Sequence, residues 1–262
     1  MTNYRWAICS LLFFATTINY LDRQVLSLTW KDHLVPEFHW NNNDYGTITA
    51  VFSIAYAVSM LLAGKFVDWM DTKKGFLWAI GIWSAGAVLH AFCGIAASGM
   101  ITGNWLFSFS GSAEALKTVS DISKVTTVSV TLFVFARIIL ALGEAGNFPA
   151  AIKATAEYFP KKARGFATSI FNAGATIGAL AAPLTIPFIA KAYGWEMAFI
   201  IIGGLGFIWM GFWIFMYKKP EVHPKVNAAE LAYIQQDDHA NPDEKVVHSK
   251  KISFPQAFRY KQ

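Results

Sequence analysis

The sequence predicts an all-α membrane protein of six transmembrane helices arranged as two sets of three. Three observations carry this. The chain of 262 residues is 55% hydrophobic and only 15% charged, with a mean hydropathy of +0.37, where a soluble domain carries about a quarter charged residues. Six apolar stretches are each long enough to cross a bilayer, which takes about 20 residues. The charges deep inside those stretches fall in the first and the fourth, the two positions that correspond when six is divided into threes.

The first stretch, residues 6–30, is no cleaved signal peptide. It is too long, has no basic start beyond Arg5, and ends without a small-residue cleavage site. Stretches 45–66 and 75–98 follow, joined by "GKFVDWMDTKKG". Residues 99–126, rich in Ser, Gly and Thr, read as a long external loop: a tolerated surface insertion, with a lid over a pathway as the alternative. Stretches 127–149, 165–190 and 196–217 complete the six, and in the fifth Gly174, Ala175, Gly178 and Ala179 read as close-packing positions. Residues 1–217 thus form the bundle and residues 218–262 a charged tail. Within the tail, Asn227 and Glu230 have the spacing of a capping box, which predicts a short surface helix without chemistry.

Lysine and arginine set the orientation. Arg5, Lys65, Lys73, Lys74, Lys153, Lys161, Lys162, Arg164, Lys218 and Lys219 lie at one end of the stretches, and Lys31, Lys117, Lys124 and Lys191 at the other. Ten against four makes the first end cytoplasmic, with both termini inside and a multi-pass chain in the cell (inner) membrane. An even number of crossings agrees.

Several function classes fall away. The net charge of +5 is spread in short clusters between apolar runs, which is not a nucleic-acid footprint. There is no phosphate loop, metal-ligand cluster or nucleophile elbow, so no catalytic residue, metal or cofactor is expected. Cys9 and Cys93 lie in apolar runs and read as packing residues.

The informative residues are the charges within the spans: Asp22 and Arg23 in the first, Arg137 and Glu144 in the fourth. Each costs about 2.5–3.5 kcal/mol at mid-helix, so it persists only with a partner or a wet cavity. At 1.5 Å per residue, Asp22 lies roughly 24 Å from the start of its span, Arg137 roughly 15 Å from the start of its own, and Glu144 about 10 Å further in. Arg137 and Glu144 are two turns apart on one face. Asp22 and Arg23 diverge by about 100° and are expected to face different ways, Asp22 toward span four and Arg23 toward an open cavity. Pairs that merely lock helices are the competing reading. Four charges on two helices at comparable depth fit better with a water-lined path, in which an arginine holds an anion and a carboxylate carries a proton. His90, near the outer end of span three, is read as a packing residue that reaches polar partners there.

The loop "GKFVDWMDTKKG" resembles the signature of the major facilitator superfamily, with Gly64, Asp68, Lys73 and Lys74 in place. Trp69 stands where that signature has Arg, and Asp71 where it has Gly. Asp tolerates a left-handed turn better than most residues, so the tight turn is expected to survive, but a charge relay at Trp69 is not. "NYLDR" (19–23), "RIILALGEAGNFPA" (137–150), "EYFPKKARGFATSIFNAGATIGA" (157–179) and "GWEMAFIIIGG" (194–204) narrow the resemblance to the anion:cation symporter branch, and within it to hexuronate and sugar-acid permeases.

The resemblance implies the N-terminal bundle of a major facilitator fold, its six helices being 3+3 inverted repeats, and proton-coupled symport of a small organic anion by alternating access. By position, Arg23 would contact the substrate carboxylate, and Tyr20, Tyr56 and Asn172 would line the cavity. Asp22 and Glu144 would take protons, with Arg137 as the exchangeable ion partner between them. Symport of aromatic or dicarboxylic acids is the alternative, as is a non-transporting solute receptor, against which the retention of Asp22 and Glu144 argues. Transporters of this branch have twelve spans, so the chain is expected to hold the N-terminal half and the central linker, with the C-terminal half missing.

Overall fold

The structure, a computed structural model, describes residues 2–237, and the end of the tail expected at 238–262 lies outside them. Among the described residues every regular element is helical: α1 (Tyr4–Thr29), α2 (Val35–Phe38), α3 (Asn42–Met70), α4 (Thr72–Ala91), α5 (Cys93–Thr102), α6 (Phe109–Lys117), α7 (Ile122–Glu144), α8 (Asn147–Tyr158), α9 (Lys161–Tyr193), α10 (Trp195–Met216) and α11 (Ala228–Ile234), with a π-helical turn at Trp30–Leu34 and a 3-10 turn at Pro220–Val222.

Helices α3, α9 and α10, and α7 continued through α8, are long and apolar enough to span a membrane; α4 and α5, bent by 50°, make a fifth span. The first predicted span is α1. Its 26 residues suffice for a crossing, but Asn19, Asp22, Arg23 and Gln24 dilute its apolar character. Local chemistry sets the ends. Asn41 and Asp44 form a reciprocal capping box at the start of α3, the Asn41 side chain accepting from the Asn43 and Asp44 amides and Asp44 accepting from the Asn41 amide at 2.8 Å.

The helices pack in a pattern that repeats. Numbering the six spans in order, the first packs on the fifth, the fourth on the second, the third on the fourth, the first on the sixth, the third on the sixth, the second on the third and the fifth on the sixth. The first also packs on the fourth and the fourth on the fifth, both through α8; exchanging the first three spans for the last three maps every pair but this last one onto a pair of the set, the pattern of two inverted repeats. Small residues permit the closest approaches. A Cβ at Gly178 of α9 would lie 2.3 Å from the Thr17 carbonyl oxygen of α1, and one at Gly143 of α7 would lie 2.2 Å from the Trp83 amide of α4.

Buried apolar side chains form two cores. One, at the end carrying Thr2 and Pro220, gathers Leu12, Phe76, Trp83, Tyr158, Phe171, Trp209 and Trp213. The other gathers Val25, Leu34, Phe38, Trp40, Phe133, Ile186 and Phe199. Along α1 the first core ends at Ala15 and the second begins at Leu21, so Asn19, Asp22 and Arg23 lie at the seam between them.

Three expectations need correction. Residues 99–126 are not a bare loop: α5 runs to Thr102 and ends on Gly103 at φ +79, Ser108 caps α6, and Leu116 is buried. The Asn227–Glu230 box forms by half. The Asn227 side chain accepts from the Glu230 amide at 2.9 Å, but the Glu230 carboxylate turns to the start of α1, accepting from the Thr2 hydroxyl, the Tyr4 and Arg5 amides and the Arg5 guanidinium. A helix start has amides to satisfy, and this carboxylate satisfies two of them. His90 does not reach polar surroundings: fully buried, it stacks on Phe199 at 4.9 Å and spends Nδ1 on the Gly86 carbonyl.

Candidate functional site

Three helices bring the predicted residues together. On α1, Asp22 faces the bundle interior and is buried, while the Arg23 side chain is 21% exposed. On α7, Arg137 and Glu144 are both buried. On α3, Tyr45, Thr49, Phe52 and Tyr56 follow one another at helix-face spacing.

Arg23 is the hub. Its Nε donates to Glu144 Oε2 at 2.6 Å. Its guanidinium carbon lies 4.4 Å from the Tyr56 ring centre and 5.0 Å from that of Tyr20, distances at which a ring face attracts a cation. Arg137 sits over the Phe52 ring at 5.4 Å, and Phe52 stacks on Tyr56. Asp22 makes no hydrogen bond with either oxygen, yet it lies close enough to Glu144, Arg137 and Arg23 for their charges to act on it. Two acids and two arginines therefore share one cluster at the seam of the bundle.

Arg23 lines a cavity and also bonds Glu144 directly, a pair that the expected link through Arg137 does not include. Residues seven apart are separated by about 10 Å along a helix, and among the described residues Arg137 Nε has no hydrogen-bond partner. The long Arg23 side chain reaches across from α1 instead, which a 100° rotation between Asp22 and Arg23 does not prevent.

Beside Arg23 lies a pocket of about 60 Å³ lined by Arg23, Leu26, Ser27, Tyr45, Thr49, Phe52 and Arg137. Whole-ligand sites occupy about 300–1,000 Å³, so this space is smaller than a whole-ligand site, and the charged groups in its lining are two arginines. Larger grooves of about 310 to 450 Å³ are lined almost wholly by apolar side chains such as Leu77, Trp78 and Phe212, far from these charges in character. Sequence reasoning missed Tyr45, Thr49 and Phe52. The signal was their spacing ahead of Tyr56 on α3.

The other predicted residues lie elsewhere. Asn172 stands on an exposed face of α9 and makes no hydrogen bond to this cluster. Gly64, Asp68, Lys73 and Lys74 lie at the basic end. There Lys153 of α8 pairs with Asp68 at 3.0 Å, and Lys73 donates to the Ile214 carbonyl at 2.7 Å. Asp71 caps α4 through the Thr72 amide at φ 68, ψ 153.

A family model described as Major Facilitator Superfamily matches residues 12–261. The hexuronate transporter of Escherichia coli (strain K12) is 31% identical over 98% of this chain and 51% of its own length. The galacturonate transporter of Dickeya chrysanthemi is 28% identical over 98% of this chain and 64% of its own. The chain thus spans about half to two thirds of the length of these relatives. Among solved structures, a bacterial homolog of the human lysosomal transporter Spinster, inward-facing and unoccupied, superimposes with a TM-score of 0.63 over 99% of this chain and 49% of that one, at 19% identity. With the repeat, the buried charges and these matches in agreement, the chain belongs to the Major Facilitator Superfamily.

Proposed function

We propose that this bundle serves proton-coupled symport of a hexuronate or related sugar acid, facing a second bundle across the substrate path. The observation that carries the reading is the 2.6 Å pair of Arg23 with Glu144 at the rim of a two-arginine pocket. The printed names of the hexuronate and galacturonate transporters supply the substrate class. The basic end faces the cytoplasm, with both termini inside.

A substrate carboxylate entering beside Arg23 competes with Glu144 for one guanidinium. A buried carboxylate that loses its counter-ion neutralises by taking a proton. Anion and proton binding are then linked, and each strengthens the other by the same factor. Arg137 keeps the remaining charge of Asp22 balanced. Tyr20 and Tyr56 hold the Arg23 guanidinium and offer hydroxyls to the sugar acid, with Asn172 on a further wall. At the basic end, the Asp68–Lys153 pair and the Lys73 contact fasten the helices that gating must part. Uptake of labelled galacturonate or glucuronate into proteoliposomes, with and without an inward proton gradient, tests this. Accumulation that requires the gradient supports it, and accumulation indifferent to the gradient sinks the coupling.

A further inference from the structure

Asn19 and Asn147 are polar residues of the seam that the transport reading leaves unused. Both are fully buried. In each, neither the amide oxygen nor the amide nitrogen has a hydrogen-bond partner among the described residues. They lie at one level on packed helices. Tyr20, beside Asn19, has its ring 6.3 Å from that of Phe148, beside Asn147, and about one turn away Arg23 meets Glu144. Asn19 precedes Asp22 by three residues on one face of α1, and Asn147 opens α8 three residues after Glu144 closes α7.

Both Asp22 oxygens and Glu144 Oε1 are likewise unpartnered, as are the donors Arg23 Nη2 and Arg137 Nε. A bare buried polar atom costs about 1–3 kcal/mol, and a folded protein has only about 5–15 kcal/mol in all. Something must satisfy this set, and its composition says what. The amides offer donors and acceptors together, the arginines donors and the acids acceptors, which a molecule able to both give and take hydrogen bonds answers. A monovalent cation finds no net charge here, because Arg23 and Arg137 already balance the two acids. The sugar acid is excluded, since both asparagines are closed off inside the bundle, with Leu12, Ala15, Ala150 and Ala154 toward the basic end. Water fits, typically with about three hydrogen bonds each.

We infer that Asn19 and Asn147 hold internal water that carries a proton between Asp22 and Glu144. The inference rests on the proton role proposed for those two acids. The proton leaves the Asp22 carboxyl for a water, which passes one of its own to Glu144 Oε1. Asp22 becomes a carboxylate as Glu144 becomes neutral, and the total charge is unchanged. The asparagines are positioning residues in this transfer.

Infrared spectroscopy of the 262-residue chain in lipid, at a pH that protonates the acids, tests it. The carboxyl bands are identified by their loss in Asp22→Asn and Glu144→Gln, and their hydrogen–deuterium exchange is timed in D2O. The Asn19→Leu/Asn147→Leu pair is expected to exchange at least about tenfold more slowly, since it removes four polar atoms that hold water. The Asn19→Ser/Asn147→Ser pair keeps the parent rate. Should the leucine pair fail to fold, Asn19→Leu and Asn147→Leu singly each show part of the slowing. A folded leucine variant exchanging at the parent rate overturns the inference, as does a carboxylate band that shifts when choline is replaced by Na⁺. No substrate is needed, so loss of galacturonate uptake with these exchange rates intact counts against the transport reading alone.

Discussion

Arg23 binds Glu144 through Nε, at 2.6 Å, rather than through its terminal nitrogens. Nη2 is left without a partner. A guanidinium has five N–H donors in a fixed fork, and the bond to Glu144 uses one of them.

Arg23→Lys is therefore not conservative. An ammonium is a point charge without the fork, and it cannot lie flat between Tyr20 and Tyr56. Affinity for galacturonate is expected to fall at least about tenfold, the loss of one charge-assisted hydrogen bond. Equilibrium binding of the labelled acid checks this, and an unchanged affinity would remove Arg23 from the substrate site.

Glu144→Gln keeps an acceptor for Arg23 Nε and discards the proton. Binding and substrate counterflow should persist while gradient-driven accumulation is lost. Accumulation that stays fully dependent on the proton gradient in this variant would reassign the coupling.

Asp71 has the backbone of a glycine, with φ 68 and ψ 153. That region costs a non-glycine residue about 1–3 kcal/mol, against which the cap on the Thr72 amide returns about 1 kcal/mol. Asp71→Gly should raise stability by about 1 kcal/mol, and Asp71→Ala, which keeps the strain and loses the cap, should lower it by a similar amount. Thermal unfolding in detergent distinguishes the two by sign.

Glu37 links α2 to α10, its Oε2 accepting from Trp195 Nε1 at 2.7 Å. Burial pushes its carboxyl up to about 7, with Glu196 adding to the rise and the Trp195 bond and Lys117 opposing it. The folded chain then holds a proton that the unfolded chain has released. This group's contribution is full below the ordinary carboxylate range and is lost as pH rises through about 7. Unfolding midpoints measured from pH 5 to 8 should fall in the parent and lose that component in Glu37→Gln. A parent midpoint that rises over this range contradicts the assignment.

Glu230 is fully buried and receives four bonds from Thr2, Tyr4 and Arg5. Burial alone would raise its carboxyl, but those bonds hold it below the ordinary range. Glu230→Ala strands the Arg5 charge and two amides, a loss of about 2–3 kcal/mol. Limited proteolysis should then cut within residues 218–237 faster than in the parent, and equal rates would mean that α11 docks by other contacts.

The spans and their charges were legible because lipid tolerates neither bare backbone nor stray charge, so both leave marks in composition. Helix-face arithmetic placed Arg137 and Glu144 correctly on one side of α7. It did not give the Arg23–Glu144 bond, because periodicity locates a Cβ and says nothing of where a long side chain ends. The bend between α4 and α5 has no proline to announce it. Glu230 carried the local signature of a cap for its own helix, and the acceptor went to a helix more than 200 residues earlier in the chain. Sequence spacing reports local competition among hydrogen bonds; a distant first turn with free amides is invisible to it.

The near-contact of backbones at Gly178 and Gly143 has a mechanical meaning. Where a missing side chain lets one helix rest directly on the peptide groups of another, no layer of flexible side chains remains to act as a bearing. Neither α1 against α9 nor α4 against α7 can slip by a fraction of a turn without collision. The two repeats are keyed to each other through these contacts, so the six spans move as one block.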